Sequence, residues 1–392
     1  MTMNVKALDR EYIMGTYSRF PLTLTKGKGS KVYDEEGKEY IDLGSGIAVN
    51  IFGIADESWA KAVTNQLNTL QHTSNLYYSE PCARLAKVLC ERTNMSKVFF
   101  SNSGAEANEC AIKAARKYAA ENLPQLNPVM LTLVNSFHGR TIATISATGQ
   151  DVFHEDFKPL LEGFEHTPAN DIEALEKNVK ELKPFAVMFE CVQGEGGVLP
   201  LDKAFVDKIV ELSKEYGFLV ICDEVQTGNG RTGELYSFMN YGFTPDIFTT
   251  AKGLGGGLPI GATVFSEKVA EAMKSGDHGS TFGGNPVASA GALNIIERID
   301  DKLLSEVKVK SEYIINELKD AKGVKSISGM GLMLGIETER EASDIIADCM
   351  AQGVLVIKAK NKVRLLPALN IPMEDLEKAV EIIKTNIAKG VE

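Results

Sequence analysis

From about Lys97 onward, short runs of β-branched and aromatic residues alternate with longer stretches whose apolar positions recur at helical spacing. The pattern reads β-α-β-α, with strands expected at residues 97–101, 129–134, 185–190, 218–223, 246–250 and 262–265. Several of these are apolar throughout, as strands covered on both faces of a parallel sheet must be. Residues 105–120 and 203–216 read as helices, the second apolar at Phe205, Ile209, Val210 and Leu212 and polar elsewhere. In such a sheet right-handed crossovers gather the loops at the carboxyl ends of the strands.

The two ends follow another rhythm. Residues 22–43 suggest a small meander turning at Asp34-Glu35-Glu36-Gly37, whereas the chain after Asn285 gives long helices and then short strands near 324–337 and 362–366. The expected architecture is α/β: a large domain over residues 51–285 with a mostly parallel central sheet flanked by helices, and a small α+β domain built from residues 1–50 and 286–392.

Charge removes several functions from consideration. With 53 acidic side chains against 42 basic ones the net charge is −11, which excludes nucleic acid as a default partner because phosphate neutralisation needs a basic surface. The first ten residues lack the apolar run of a signal peptide, and no stretch approaches the roughly 20 apolar residues of a membrane span, so a cytoplasmic protein without membrane contact is expected. The six cysteines include no C-x-x-C pair and read as small buried hydrophobes. The five histidines form no H-E-x-x-H, and neither a G-x-x-x-x-G-K-[ST] phosphate loop nor a G-x-S-x-G elbow is present. No metal site is expected. The cluster Gly253-Leu254-Gly255-Gly256-Gly257 is out of register with a dinucleotide fingerprint and opens no βαβ unit.

Four segments carry candidate chemistry. At Ser101-Asn-Ser103-Gly104-Ala105-Glu106 a strand gives way to an Ala-rich helix, whose first N–H groups and positive dipole end suit a phosphate, although Ser103 also reads as a plain N-cap. The apolar run 218–222 ends abruptly in Asp223, which calls for a cation or donor at that end, a heterocyclic nitrogen among them; a helix cap or a metal ligand fits the same residue. Lys252 follows another apolar strand and precedes a run of glycines, the setting of a desolvated Schiff-base lysine or of a solvated loop lysine. Finally, Phe137-His138-Gly139-Arg140 offers an aromatic face and a guanidinium fork just past a strand.

Together, in this order and spacing, these segments resemble the class III pyridoxal-phosphate-dependent aminotransferases of fold type I, most closely the acetylornithine type from bacteria. The likeness runs from Gly15-Thr-Tyr17-Ser-Arg19 to Val363-Arg364-Leu-Leu-Pro367. It implies that Lys252 carries pyridoxal 5'-phosphate covalently and shuttles the proton, that Asp223 pairs with the pyridine nitrogen, and that Val225 and Phe137 sandwich the ring. Gln226 would reach the ring hydroxyl, and Ser103, Gly104 and Ala105 the phosphate. Within Gly279-Ser280-Thr281-Phe282, Thr281 would reach the phosphate of a second subunit and Ser280 would lie near the substrate, which implies a homodimer with shared sites.

The resemblance also assigns the substrate grips. Arg140 would hold the carboxylate remote from the reacting amine, and Arg364 the α-carboxylate of glutamate or 2-oxoglutarate. Glu195 would neutralise Arg364 when a terminal amine is bound, and Tyr17 would line the pocket. The small Gly46-Ile47 leaves room for an acylated α-amine, so the expected reaction is a ping-pong exchange between N2-acetylornithine and 2-oxoglutarate, in arginine biosynthesis. Succinylornithine, ornithine or 4-aminobutyrate as donor, an aminomutase and a non-enzymatic scaffold are the alternatives. Where relatives read G-H-x-H-P, this chain has Gly53-Ile54-Ala55-Asp56-Glu57.

Overall fold

The computed structural model describes residues 4–390. Its centre is a seven-stranded sheet of β1 (Lys97–Ser101), β2 (Asn127–Leu133), β3 (Phe164–Thr167), β4 (Pro184–Phe189), β5 (Leu219–Asp223), β6 (Ile247–Thr250) and β7 (Gly261–Phe265). The order across the sheet is β1-β7-β6-β5-β4-β2-β3. Every pairing from β6 to β3 is parallel, while β7 runs antiparallel to both neighbours. A parallel return needs a crossover of a dozen or more residues. The short glycine-rich connection after β6 contains no α-helix, so β7 comes back antiparallel.

All residues of β4, β5, β6 and β7 are buried, which explains their unbroken apolar reading. Alternate side chains feed two layers. Val187, Phe189, Val220 and Cys222 join one core, and Ala186, Met188, Leu219 and Ile221 the other. The second core is closed by Cys110, Ala111, Ala114 and Ala115 of the helix Gly104–Asn122, whose small side chains let it lie close on the sheet. The strand β3 is absent from the expected set. It is a four-residue edge strand with only Thr167 fully buried, and Glu165 and His166 hide it from an apolar search.

The meander is present as Leu24–Lys28, Lys31–Asp34 and Glu39–Asp42. The far end of the chain adds a fourth strand to it, Val354–Leu355 running parallel to Glu39–Asp42. A third sheet places Lys362–Leu365 between Met333–Thr338 and Ile357–Ala359, with Arg364 opposite Gly335. Asp56 and Glu57 are used structurally. Asp56 caps the helix Glu57–Thr69 by accepting the Trp59 N–H at 2.9 Å, and both its oxygens meet Arg298, at 2.6 and 2.9 Å. Among the described residues no helix is long and apolar enough to cross a membrane.

Candidate active site

The segments that follow β1, β2, β4, β5 and β6 converge on one cavity of about 500 Å³ at the carboxyl edge of the sheet. Ser103, Gly104 and Ala105 line it from β1, Phe137 and Arg140 from β2, and Glu190 from β4. From β5 come Asp223, Val225 and Gln226, and from β6 comes Lys252.

Asp223 ends β5 and is 4 % exposed. Its Oδ2 accepts the Asn108 Nδ2–H at 2.8 Å and faces His138 Nδ1 at 2.8 Å, while Oδ1 accepts the Val225 N–H at 3.0 Å. A carboxylate only accepts, so Nδ1 of His138 carries the hydrogen in this pair. Asn108 is fixed in turn by the Thr249 hydroxyl at 2.6 Å. His138 and Asn108 received no role from the sequence. Each is a polar residue buried beside an apolar strand end, and the short distance from Phe137 and Arg140 was the available signal for His138.

Lys252 lies just past β6 with φ +45°, a left-handed conformation that costs a residue other than glycine about 1–3 kcal/mol and that the surrounding packing must hold. Burial lowers its pKa, against the opposing pull of Glu195, Asp223 and Glu190. The amine therefore surrenders its proton more readily than a solvated lysine. Glu190, 4 % exposed, accepts the Phe137 N–H at 2.9 Å; burial, reinforced by the charge of Asp223, pushes its carboxyl well above the usual range. It terminates an apolar strand as Asp223 does, so the criterion that singled out Asp223 applies to it as well.

The start of the helix Gly104–Asn122 forms the opposite wall. Ser103 is its N-cap and accepts the Glu106 N–H at 3.2 Å, so the capping reading is realised. The N–H groups of Gly104 and Ala105 precede the first intrahelical bonds and have no acceptor within the helix. A Cβ on Gly104 would lie 2.6 Å from Val225 Cγ1, so only glycine lets the helix start and the β5 loop approach this closely.

Arg364, 3 % exposed, reaches the site from the third sheet. Its Nη1 donates to Glu195 Oε1 at 2.6 Å and to Gln226 Oε1 at 3.0 Å. Burial works to raise the Glu195 pKa, but the charge and hydrogen bond of Arg364 outweigh it and the net shift is downward. Arg140 is exposed and rests 4.1 Å above the Phe153 ring centroid and 5.5 Å from that of Phe137. It forms no ion pair with a carboxylate among the described residues, which leaves its fork available.

Five of the expected site residues are not part of the cavity lining: Glu195 and Arg364, which meet it through Gln226, and Tyr17, Ser280 and Thr281, which lie apart from it within this chain. Tyr17 is 73 % exposed and stacks with Arg19, its ring centroid 5.3 Å from the guanidinium carbon. Ser280 and Thr281 line a separate groove beside His72, Tyr77 and Tyr78, and Ser280 is tied to the cavity rim through Asn102 Nδ2 at 3.1 Å. The segment before the cavity holds a further feature. Asp42 Oδ1 accepts the N–H groups of Gly44 and Ser45 at 2.8 and 3.0 Å and starts a left-handed turn, Ser45–Ala48. Here φ is +46°, +64°, +63° and +62° in succession. Val49, next in the chain, lines the cavity.

A buried carboxylate and a lysine of lowered proton affinity line one cavity at the carboxyl edge of this sheet, and a paired arginine meets that lining through Gln226. The sequence model of the family "Aminotransferase class-III" matches residues 12–387, and the chain belongs to that family. An acetylornithine aminotransferase from Haemophilus ducreyi is 48 % identical, with 97 % of each chain covered. One from Methanocaldococcus jannaschii is 42 % identical over 97 % of this chain and 98 % of its own. Among solved structures, N-acetylornithine aminotransferase from Stenotrophomonas maltophilia has a TM-score of 0.83 at 33 % identity, covering 97 % of this chain and 98 % of that one. Ornithine aminotransferase from Toxoplasma gondii, solved with partial occupancy of PLP at its active site, has a TM-score of 0.92 at 30 % identity, covering 98 % and 93 %.

Proposed function

We propose that this aminotransferase uses pyridoxal 5'-phosphate to move the terminal amino group of N2-acetylornithine to 2-oxoglutarate, yielding N-acetylglutamate 5-semialdehyde and glutamate. This is a step of arginine biosynthesis. The names of the relatives support the donor, and the observation that carries the reading is Arg364 held between Glu195 and Gln226 at the edge of the cavity.

The residues present fit the cofactor. Asp223, fixed on both oxygens, suits a protonated ring nitrogen, and the close approach of Gly104 to Val225 brings the free N–H groups of the helix start to the same cavity. The N–H groups of Gly104 and Ala105 would receive the phosphate, Gln226 the ring hydroxyl and Phe137 the ring face. When bound, the cofactor supplies an aldehyde that condenses with amines and a ring that withdraws electrons. Lys252 holds it and, with its lowered proton affinity, takes and returns the proton at the substrate carbon bearing nitrogen. Arg140 grips the donor's distant carboxylate. Glu195 covers Arg364 while a terminal amine reacts and yields it to the α-carboxylate of the keto acid, so neither substrate leaves a buried charge unpaired.

We further assign a cytoplasmic homodimer. Six free thiols suit a reducing compartment. Leu76, Tyr77, Tyr78 and Phe282 are exposed apolar side chains in the region of the Thr281 groove, which supports a partner there and a Thr281 that serves the partner's phosphate.

The test is single-turnover absorption of the pyridoxal-loaded enzyme with N2-acetylornithine, ornithine or 4-aminobutyrate, without keto acid. Loss of the visible band with N2-acetylornithine, restored by 2-oxoglutarate, is expected. Faster discharge by another amine overturns the donor, and no discharge by any of them overturns the transfer.

A further inference from the structure

The loop of residues 228–233 contains an arginine to which the mechanism above gives no task. Arg231 is 1 % exposed, has no carboxylate in ion-pair range among the described residues, and is brought down by burial to a pKa of about 9. Its partners are carbonyl groups: Nη1 donates to Leu332 O at 3.0 Å and to Pro367 O at 2.5 Å. Its own carbonyl accepts the Leu332 N–H at 2.9 Å, while Nε and Nη2 have no partner among the described residues. A desolvated cation without a counter-charge is costly, so its place calls for an explanation other than stability.

What it joins supplies one. Pro367 lies three residues beyond Arg364, and Leu332 lies between Val324–Met330 and Met333–Thr338, the latter pairing with the strand that bears Arg364. Gly331, at φ +56°, has space for no side chain, since a Cβ there would stand 2.5 Å from Arg231 O. The hairpin turn is thus moulded onto the arginine's backbone. Two residues earlier in the same loop, Asn229 Nδ2 donates to Thr250 Oγ1 at 3.0 Å and to Ala251 O at 3.2 Å. Ala251 immediately precedes Lys252. One short loop therefore fastens the strand end that carries the reacting lysine to the sheet that carries the substrate arginine.

We propose that Arg231 is a positioning residue that sets Arg364 relative to Lys252, and so governs how well the enzyme holds a substrate carboxylate next to the reacting carbon. The inference rests on the reading of Arg364 as that carboxylate's ligand. It separates Arg231 from general stability, because a substrate with a terminal amine presents no carboxylate to Arg364 and should not register the change.

The experiment compares the holoenzyme with Arg231→Met, which keeps an unbranched stem and removes the guanidinium, and with Arg231→Lys. Each is examined in two half-reactions, with glutamate and with whichever terminal amine the wild type accepts. Binding of glutarate, a non-reacting dicarboxylate, is titrated by calorimetry. For Arg231→Met we expect the glutamate half-reaction and glutarate affinity to fall together by about tenfold or more, with the terminal-amine half-reaction within about threefold, the scale of one displaced charge-assisted contact. Arg231→Lys should recover part of the loss, and it carries the test alone if the methionine variant does not fold. Equal losses in both half-reactions, or none in either, overturn the proposal. A wild type that glutamate cannot discharge overturns the reading of Arg364 and this inference together; a responsive wild type with indifferent variants overturns this one only.

Discussion

Glu195 Oε1 lies 2.6 Å from Nη1 of Arg364, a side chain 3 % exposed, while the glutamate remains 31 % exposed. The asymmetry matters: the arginine cannot leave, and the glutamate can move toward solvent. In Glu195→Ala the guanidinium keeps only Gln226 and becomes an open carboxylate site, so amino donors with an α-carboxylate beside the reacting amine should gain on terminal amines by about tenfold or more. The ratio of kcat/KM for glutamate to that for N2-acetylornithine reads this out, and an unchanged ratio removes the switching role. The lowered pKa of Glu195 also fixes a sign. The stability contributed by the pair is full above the ordinary carboxylate range and is lost as pH falls through the depressed native value, so the variant should lose less stability than the wild type on acidification.

Asp223 owes its orientation to His138 and Asn108 as much as to β5. His138→Phe removes one hydrogen bond to a buried charge, worth about 1.5–3 kcal/mol, and should lower kcat roughly ten- to hundredfold with little change in KM. His138→Asn should restore much of it. Parallel losses in KM and kcat would instead point to a disturbed cavity wall.

The raised carboxyl of Glu190 predicts a pH dependence of opposite sign. A group that binds its proton more tightly in the native state stabilises the protein below its unfolded pKa, about 4.3, and loses that contribution as pH rises through the native value. Glu190→Gln keeps an oxygen for the Phe137 N–H and does not titrate. Its melting temperature relative to wild type should therefore improve from pH 5 to pH 8, and a flat difference across that span would sink the assignment.

Gly104→Ala places a methyl group 2.6 Å from Val225 Cγ1. Overpacking of this kind costs about 1–3 kcal/mol, and here it also pushes Val225 into the cavity, so weaker pyridoxal-phosphate binding is expected along with reduced stability. Adding Val225→Ala should relieve the clash. If the double variant melts below both singles, the contact is not the cause.

The core of this fold was legible because its strands are buried on both faces: the apolar run of residues 219–222 cannot be anything exposed, and the residue that interrupts it had to be answered by a partner. Lys252 could be suspected for the same reason, from its position directly after β6. What escaped was information that is not local. Nothing near Asn108 says that it will meet Asp223, 115 residues away, and nothing near Arg231 points to Pro367, 136 residues on. The edge strand β3, half polar, has too little burial to leave a pattern. Tyr17 and Thr281 could be named only through resemblance, since within one chain neither reaches the cavity.

At the left-handed turn Ser45–Ala48 the energetic burden sits in the backbone, while the side chain of Ile47 is 44 % exposed and β-branched, the kind that tolerates φ +63° least. Exchanging it for almost any unbranched residue would leave the fold no less stable. Selection for stability therefore restrains residue 47 little, and the chain two residues before the cavity-lining Val49 can drift in sequence without first acquiring stability to spare.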